Sequence, residues 1–517
     1  MSEGHQPTGS AAAGSSGSLR DATFRGVRWV AFARLAGECF AFLSAVMLAH
    51  LVPPSEFGRA AVPLAIVPLA VILTFEGCAS ALVQRKEVTQ ADFDSAVLMS
   101  LAIGVVMSVL TFLLARTLGV HFFGHRIAGL LELVSPVFIL ASIGAAPRAR
   151  LWRRLDFPRV SVVEVASLAI GAACSIGLAF KGLDAEAIIA GALLGTAASS
   201  VMLFALAPFR LRRGSRLSAR RIAGFGVPAA LAGLVGVAFA NVAYVILAAR
   251  ATAFQTGLYW RAFQLGGAYQ EKVSGIMLRL SFPVYSRTSD PSVLRSLHER
   301  ATRLHATVVV PLLALLIVVA PVLVPWLFGE PWRGAVVPTQ ILAVAGMIAA
   351  VLTGYPQVML AIGRPRVLLQ FNLVVLGVYV AVVAATVDRG LTTLCVGVVG
   401  VYVGILVGVY RFLLRPHIGA PMSRLLTDLA PAVIGSVGIL AVGVPLRHTL
   451  TGMGAGAPGT LLVVGLATAL VYLALVRAFF AAAWSDLVLL ASNLLPPRFH
   501  KPRRAPESIS ALSSTPT

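Results

Sequence analysis

Charged side chains are scarce in this sequence, and acidic ones are scarcer still. Asp, Glu, Lys and Arg make up 12% of the 517 residues, about half of their usual share in soluble domains. Only 21 residues are acidic, so the net charge is +21. The basic residues occupy short gaps between apolar runs and form no single basic surface, so they do not indicate nucleic-acid binding. The composition excludes a soluble protein.

Cysteine is also rare, and the motifs of soluble active sites are missing. The sequence contains no phosphate-binding loop, no cluster of His and Cys with metal-ligand spacing and no nucleophile motif. Asp92-Phe93-Asp94 resembles the metal-binding Asp-x-Asp of some glycosyltransferases, but no nucleotide-binding domain accompanies it. We therefore predict a protein that is not an enzyme and that needs no cofactor or metal. All four cysteines lie in apolar runs and are interpreted as small buried hydrophobes: Cys39, Cys78, Cys174 and Cys395.

Long apolar runs make up most of the chain, with 58% hydrophobic residues and a mean hydropathy of +0.87. The runs lack the two-residue alternation of transmembrane β-strands and match the roughly 20 residues of a membrane-spanning helix. The sequence therefore predicts an all-α polytopic membrane protein with about 14 transmembrane helices. Their expected positions are 26–51, 60–83, 94–115, 127–147, 161–180, 185–208, 223–249, 256–281, 305–328, 334–361, 367–387, 390–410, 428–446 and 459–479.

The distribution of Lys and Arg predicts the orientation of these helices. If the N-terminus is cytoplasmic, the outer loops contain only eight of the 42 basic residues, and the inner segments contain most of the others. This contrast is the positive-inside pattern, and one helix more or fewer would destroy it. We therefore predict that both termini are cytoplasmic. The basic clusters at 148–159 and 210–221 are interpreted as topology determinants, with binding to anionic lipid or to a cytoplasmic partner as the alternative.

A short repeated fragment indicates internal duplication. Gly58 follows Leu48-Ala49 at the same offset at which Gly257 follows Leu247-Ala248, 199 residues later. Both fragments cross the first outer loop of a six-helix block, so the two blocks should have parallel orientation. We therefore expect a disordered tail at 1–19, a first six-helix bundle at 20–222, a second at 223–415, two additional transmembrane helices at 416–480, and an interfacial helix with a disordered tail at 481–517.

The eighth predicted helix has the largest group of polar residues at membrane depth. Arg261, Gln264, Glu271 and Lys272 share an arc of about 100° at 100° per residue, together with the small residues Ala268 and Gly275. Because charges in hydrocarbon are costly, such a stripe is typical of a hydrated cavity wall. The alternative is a network of salt bridges that only ties helices together.

Four further charged residues lie within predicted spans. Arg34 and Glu38 are four residues apart on the first helix, so they can face the same cavity or can simply neutralise each other. Glu76 and Glu132 have no partner nearby in the sequence. We interpret these two carboxylates as candidates for coupling to a cation, with a hydrogen bond from a protonated carboxyl between helices as the alternative.

Several loop motifs, in order over about residues 20–415, resemble those of a known family. The motifs are Glu56-Phe57-Gly58, Ala81-Leu82-Val83-Gln84-Arg85-Lys86-Glu87, Arg153-Arg154-Leu155-Asp156-Phe157, Gly257-Leu258-Tyr259, Arg261-Ala262, Gln264-Leu265, Phe282-Pro283, Phe328-Gly329-Glu330 with Trp332, and Leu360-Ala361-Ile362-Gly363-Arg364-Pro365-Arg366. With these motifs the sequence resembles the Wzx-type polysaccharide and oligosaccharide flippases, in particular their WzxC-like branch. These proteins belong to a superfamily that also contains the multidrug and toxic-compound extruders and the lipid II flippases.

This resemblance implies two bundles around a central cavity that opens alternately to each side of the bacterial inner membrane. The implied substrate is a polyprenyl-pyrophosphate-linked oligosaccharide, and the implied partners are a polysaccharide polymerase and export machinery. Arg34, Arg261, Lys272 and Gln264 would then bind the substrate. The candidates for coupling to H⁺ or Na⁺ are Glu38, Glu76, Glu132 and Glu271.

The sequence is also compatible with other functions. The same fold could export drugs or metabolites, because fold does not determine function. A membrane enzyme of polysaccharide polymerisation would be expected to carry a large outer loop, whereas the outer loops here are short. A structural scaffold gives no reason for polar residues at membrane depth.

Overall fold

The structure is a computed structural model that describes residues 37–85, 87–210, 214–268 and 290–494, with side chains up to residue 488 apart from Ala268. The described residues are helical and contain no β-strand. Eleven of their helices are long and apolar enough to cross a membrane. The prediction of an all-α polytopic membrane protein is confirmed. The count of 14 helices and the division into bundles stay predictions.

The helices follow each other with short connections, and we number them α1 to α16. Many large apolar side chains on their outer faces are exposed, as lipid-facing residues are, for example Leu43, Val374 and Leu426. The bounds are Gly37–Leu51, Pro54–Gln84, Gln90–Leu114, Val120–Val134, Val137–Arg153, Phe157–Ala179, Ala185–Leu206, Arg216–Arg250, Ala253–Phe263, Pro291–Phe328, Glu330–Ala361, Pro365–Arg389, Leu391–Ile418, Met422–Gly452, Ala457–Phe479 and Ala481–Leu494.

Capping side chains determine where several helices begin. Thr89 and Asp92 form a reciprocal capping box at the start of α3, and Asp92 also pairs with Arg85. The first acidic residue of the Asp-x-Asp motif therefore caps a helix. Thr252 and Gln255 form a second capping box at the start of α9. Each box satisfies amide groups that the first turn of a helix leaves without a partner.

Helix α10 begins fourteen residues before its predicted start at 305. Asp290 caps it by accepting a hydrogen bond from the Ser292 amide at 2.8 Å, and Pro291 occupies the first turn. Arg295 and Glu299 then pair one turn apart at 3.1 Å. The predicted loop 282–304 is therefore wrong from 291 onwards, because hydropathy detects only the apolar part of an amphipathic helix. Residues 282–289 lie outside the described part.

The fourth predicted span, 127–147, consists of two helices rather than one. Helix α4 ends at Val134 and α5 begins at Val137, with a turn at Ser135 and Pro136 between them. Proline has no amide hydrogen and its ring clashes with the preceding helical turn. The break follows from Pro136, although the hydropathy of the segment is continuous.

Helix α16 was expected to lie in the membrane interface because of its polar residues. The Asp486 side chain is instead buried against α10, where it pairs with Arg300 at 2.9 Å and with Arg303 at 3.3 Å. The described part of α16 has 14 residues, fewer than the roughly 20 that span a bilayer. These ion pairs attach α16 to the helical bundle. Its location in the interface stays a prediction, and residues 495–517 lie outside the described part.

The two predicted halves meet along α2. The beginning of α2 packs against α9 with direct backbone contact between Gly58 and Ala253 and between Gly257 and Pro54. Farther along, α2 packs against α8, where the backbone of Gly77 contacts Gly226. A side chain at Gly58, Gly257 or Gly226 would collide with a backbone carbonyl. Glycine therefore allows the helices from the two halves to approach closely.

Candidate functional site

The structure places Arg261 in an aromatic cage where the two halves meet. Its guanidinium carbon lies 4.4 Å from the ring centre of Phe328, 4.8 Å from Trp332 and 5.1 Å from both Phe57 and Trp260. The residue is only 3% exposed. One of its terminal amino groups donates to the carbonyl of Ala45 at 3.4 Å. In this conformation the rings shield the charge, so binding of substrate at Arg261 would require the cage to open.

Two other predicted site residues lie on π-helical segments. Gln264 is half-buried and begins the segment Gln264–Ala268, which continues α9. Glu76 is half-buried within Ile72–Ala79 of α2, and its carboxylate lies against Gly233 of α8. That carboxylate makes no hydrogen bond or ion pair with the residues that the structure describes. Short π-helical segments are frequent at functional sites.

The other two described candidates differ in their surroundings. Glu132 pairs with Arg116 at 3.2 Å, and the Arg116 side chain is 63% exposed. The sequence did not predict this partner, because Arg116 is sixteen residues away on another helix. Glu38 is half-buried on α1, next to the first residue that the structure describes.

The remaining predicted site residues lie outside the described part of the chain. They include the substrate-binding candidates Arg34 and Lys272 and the ion-coupling candidate Glu271. The predicted polar stripe is therefore described only from Arg261 to Gln264.

A cavity of about 480 Å³ lies inside the first predicted half. It is lined by α1, α2, α5, α6 and α7, and by Trp260 from α9. On α2 its lining extends from Phe57 to Phe75, which corresponds to about 25 Å of helix. This length is most of the roughly 30 Å thickness of a bilayer's hydrocarbon core. Phe57 and Trp260, whose ring centres are 5.4 Å apart, line the end next to the glycine contact between the halves.

Small and hydroxyl-bearing residues form most of the cavity wall. Helix α6 contributes Ser167, Gly171 and Ser175 to it, and α7 contributes Gly191, Gly195, Ser199 and Ser200. None of the lining residues, all of which are described, is acidic. None of these wall residues is among the site residues predicted from the sequence. The four-residue spacing of Ser167-Gly171-Ser175 and Gly191-Gly195-Ser199 was the available signal, since it places small polar residues on one helix face.

Arg148 of α5 is the single cation among the lining residues. It is half-buried at the end of the cavity that is predicted to be cytoplasmic, and no hydrogen bond or ion pair joins it to another described residue. Other arginines of the same basic cluster do have partners. Arg150 donates to the carbonyl of Pro208, and Arg153 donates to the carbonyl of Leu82. Arg159 forms an ion pair with Asp156. In the sequence, Arg148 stands out only as part of the basic cluster at 148–159.

Known proteins of similar sequence include two biosynthesis proteins of bacterial polysaccharides. The lipopolysaccharide biosynthesis protein WzxC of Escherichia coli (strain K12) is 25% identical over 446 residues, which cover 84% of this chain and 89% of that protein. The teichuronic acid biosynthesis protein TuaB of Bacillus subtilis (strain 168) is 23% identical over 432 residues, which cover 81% and 88% of the two chains.

A solved structure shares the fold. The lipid II flippase MurJ in an inward closed conformation superposes with a TM-score of 0.68, at 13% identity, over 89% of this chain and 99% of that chain. A family model described as a polysaccharide biosynthesis protein matches residues 47–337, more than half of the sequence. The chain therefore belongs to this polysaccharide biosynthesis protein family.

Proposed function

We propose that this protein is a flippase for a polyprenyl-pyrophosphate-linked oligosaccharide. It moves the repeat unit from the cytoplasmic to the outer leaflet of the bacterial inner membrane, for assembly of a surface polysaccharide or an exopolysaccharide. Membership of the polysaccharide biosynthesis family and a fold shared with a lipid flippase support this function. The observation that carries it is the cavity inside the first half, whose largely apolar wall also presents serine and threonine hydroxyls and the guanidinium of Arg148.

Alternating access by two six-helix bundles is the mechanism that we propose. Both bundles contribute to the backbone contact between Gly58 and Gly257, which closes the end of α2 that is predicted to lie outside. The aromatic cage around Arg261 lies beside the same contact. Opening of this contact would release the substrate on the outer side, with both termini remaining cytoplasmic.

The energy for transport would come from coupling to a cation, H⁺ or Na⁺. Among the described candidates, Glu76 has the surroundings that favour this role, because its carboxylate lacks an ion pair with the described residues and lies where α2 meets α8. When the two halves move apart, the hydration of a carboxylate at this helix contact changes. A polysaccharide polymerase and export machinery would use the repeat unit on the outer side.

Deletion of the chromosomal gene tests this function. We expect polyprenyl-linked repeat units to accumulate in lipid extracts, to face the cytoplasm, and to be accompanied by loss of surface polymer. A plasmid copy of the gene should restore both properties, which excludes polar effects on neighbouring genes. Unchanged glycans and lipid extracts would contradict the proposal and would favour export of small molecules.

A further inference from the structure

The cavity of the first half combines one free cation with a neutral wall. Arg148 supplies a half-buried guanidinium group that no carboxylate of the described residues neutralises. A partly desolvated charge without a partner is costly, whereas a pyrophosphate can accept paired hydrogen bonds from a guanidinium. This end of the cavity is therefore suited to an anionic group.

The rest of the wall is suited to a polyhydroxyl compound. Several of its hydroxyl groups donate to backbone carbonyls and so retain lone pairs that can accept hydrogen bonds from a ligand. The hydroxyls of Ser175 and Ser199 make no such bond with the described residues, so they can also donate. The wall carries no carboxylate that would attract a cationic drug. The residues that donate to carbonyls are Ser44, Thr74, Ser167, Thr196 and Ser200.

We propose that this cavity receives the head of the lipid-linked saccharide, with Arg148 binding the pyrophosphate and the hydroxyl wall binding the attached sugars. The binding site then lies within the first bundle and not in the aromatic cage at the meeting of the two bundles. Its cargo is anionic at one end and otherwise uncharged. The volume of about 480 Å³ is within the usual range of small-ligand sites. This inference rests on the proposed function and specifies where that substrate binds.

Binding of farnesyl pyrophosphate to the purified full-length protein in nanodiscs tests the role of Arg148. We expect Arg148→Gln to weaken binding at least tenfold and Arg148→Lys to weaken it less, since a charge remains. Farnesol, which has no phosphate, should not bind through this site. Arg154→Gln is the matched control, because it removes one charge from the same basic segment at an exposed position that does not line the cavity. The affinity of the Arg154→Gln variant for farnesyl pyrophosphate should stay within twofold of the wild type.

A labelling measurement separates loss of the site from loss of the fold. In a variant whose four native cysteines are replaced, Ser199→Cys should react with a water-soluble thiol reagent, and farnesyl pyrophosphate should slow the reaction at least fivefold. When Arg148→Gln is added to this Ser199→Cys protein, farnesyl pyrophosphate should no longer slow the labelling. The labelling rate in the absence of ligand should stay unchanged. Protection that persists, a residue 199 that never reacts, or equal losses in Arg148→Gln and Arg154→Gln would overturn the inference.

The outcomes also distinguish this site from the proposed function. Full complementation of the deletion strain by Arg148→Gln, with undiminished binding of the probe, refutes the site and leaves the flippase function standing. Binding that depends on Arg148, together with a deletion strain of unchanged glycans, supports the site and refutes the saccharide flippase.

Discussion

Gly58 of α2 and Gly257 of α9 pack against each other at the meeting of the two predicted halves. A Cβ atom on Gly58 would collide with the carbonyl of Ala253, and a Cβ on Gly257 would collide with that of Pro54. Gly58 and Gly257 are 199 residues apart, and so are Pro54 and Ala253. This is the same offset as between the repeated fragments. The repeated glycines therefore form a contact that is locally two-fold symmetric.

Substitution of these glycines should weaken the closed outer end. Gly58→Ala and Gly257→Ala push a methyl group into a backbone carbonyl that cannot rotate away, so we expect each to destabilise the protein by about 2 kcal/mol. The thermal unfolding midpoint in detergent measures this effect. Gly236→Ala in α8 is the control, since its Cβ would meet nothing within 4 Å, and it should be neutral or slightly stabilising. Equal effects at all three positions would show that the contact has no special role.

Arg261 and Trp332 should be energetically coupled. The guanidinium lies over the indole, and the Trp332 ring nitrogen donates to the carbonyl of Ala49 at 3.0 Å, so both side chains hold the second half against α1. A double-mutant cycle with Arg261→Met and Trp332→Leu should give a coupling of about 2 kcal/mol, as for a desolvated cation–π pair. Additive losses of stability would contradict this cage.

Glu76→Gln should impair transport, whereas Glu132→Gln should not. We expect the first variant to reduce surface polymer at least fivefold, because its neutral amide cannot exchange a proton or a cation as the halves move. Glu132 is paired with the exposed Arg116, so its variant should stay within twofold of the wild type. Surface polysaccharide in the complemented deletion strain is the measurement. Full transport by Glu76→Gln would remove this residue from the coupling candidates.

Asp486→Asn should loosen the C-terminal helix α16. The substitution breaks the ion pairs with Arg300 and Arg303 and leaves the partly buried Arg303 with Asp428 as its carboxylate partner at 3.3 Å. We expect a loss of about 1–2 kcal/mol in the stability of the docked helix, measured as faster protease cleavage between residues 480 and 494. Asp388→Asn is a useful control, since the pair of Asp388 with Arg250 is exposed and distant from α16. Equal cleavage rates in all three proteins would contradict the docking role.

An all-α polytopic fold was predictable from the apolar runs and from the pattern of Lys and Arg. A helix needs about 20 apolar residues to span a bilayer, and this requirement does not depend on which helices lie next to it. Predictions failed where polar residues extend a helix, as at the start of α10, and where Pro136 interrupts an apolar run. Hydropathy carries no information about either feature.

The sequence by itself determined the membrane environment of this protein, its helical class, its family resemblance and the repeated glycines, since each depends on local composition or spacing. Only the tertiary structure decided which side chains meet. Arg261 was expected on a cavity wall, yet Phe57 and Phe328, which are distant in the sequence, enclose it. In the sequence Arg148 is one member of a basic cluster, whereas the packing of five helices from the first half places it at a cavity whose described lining residues include no carboxylate. Burial and pairing depend on long-range packing, which residue spacing along one helix cannot specify.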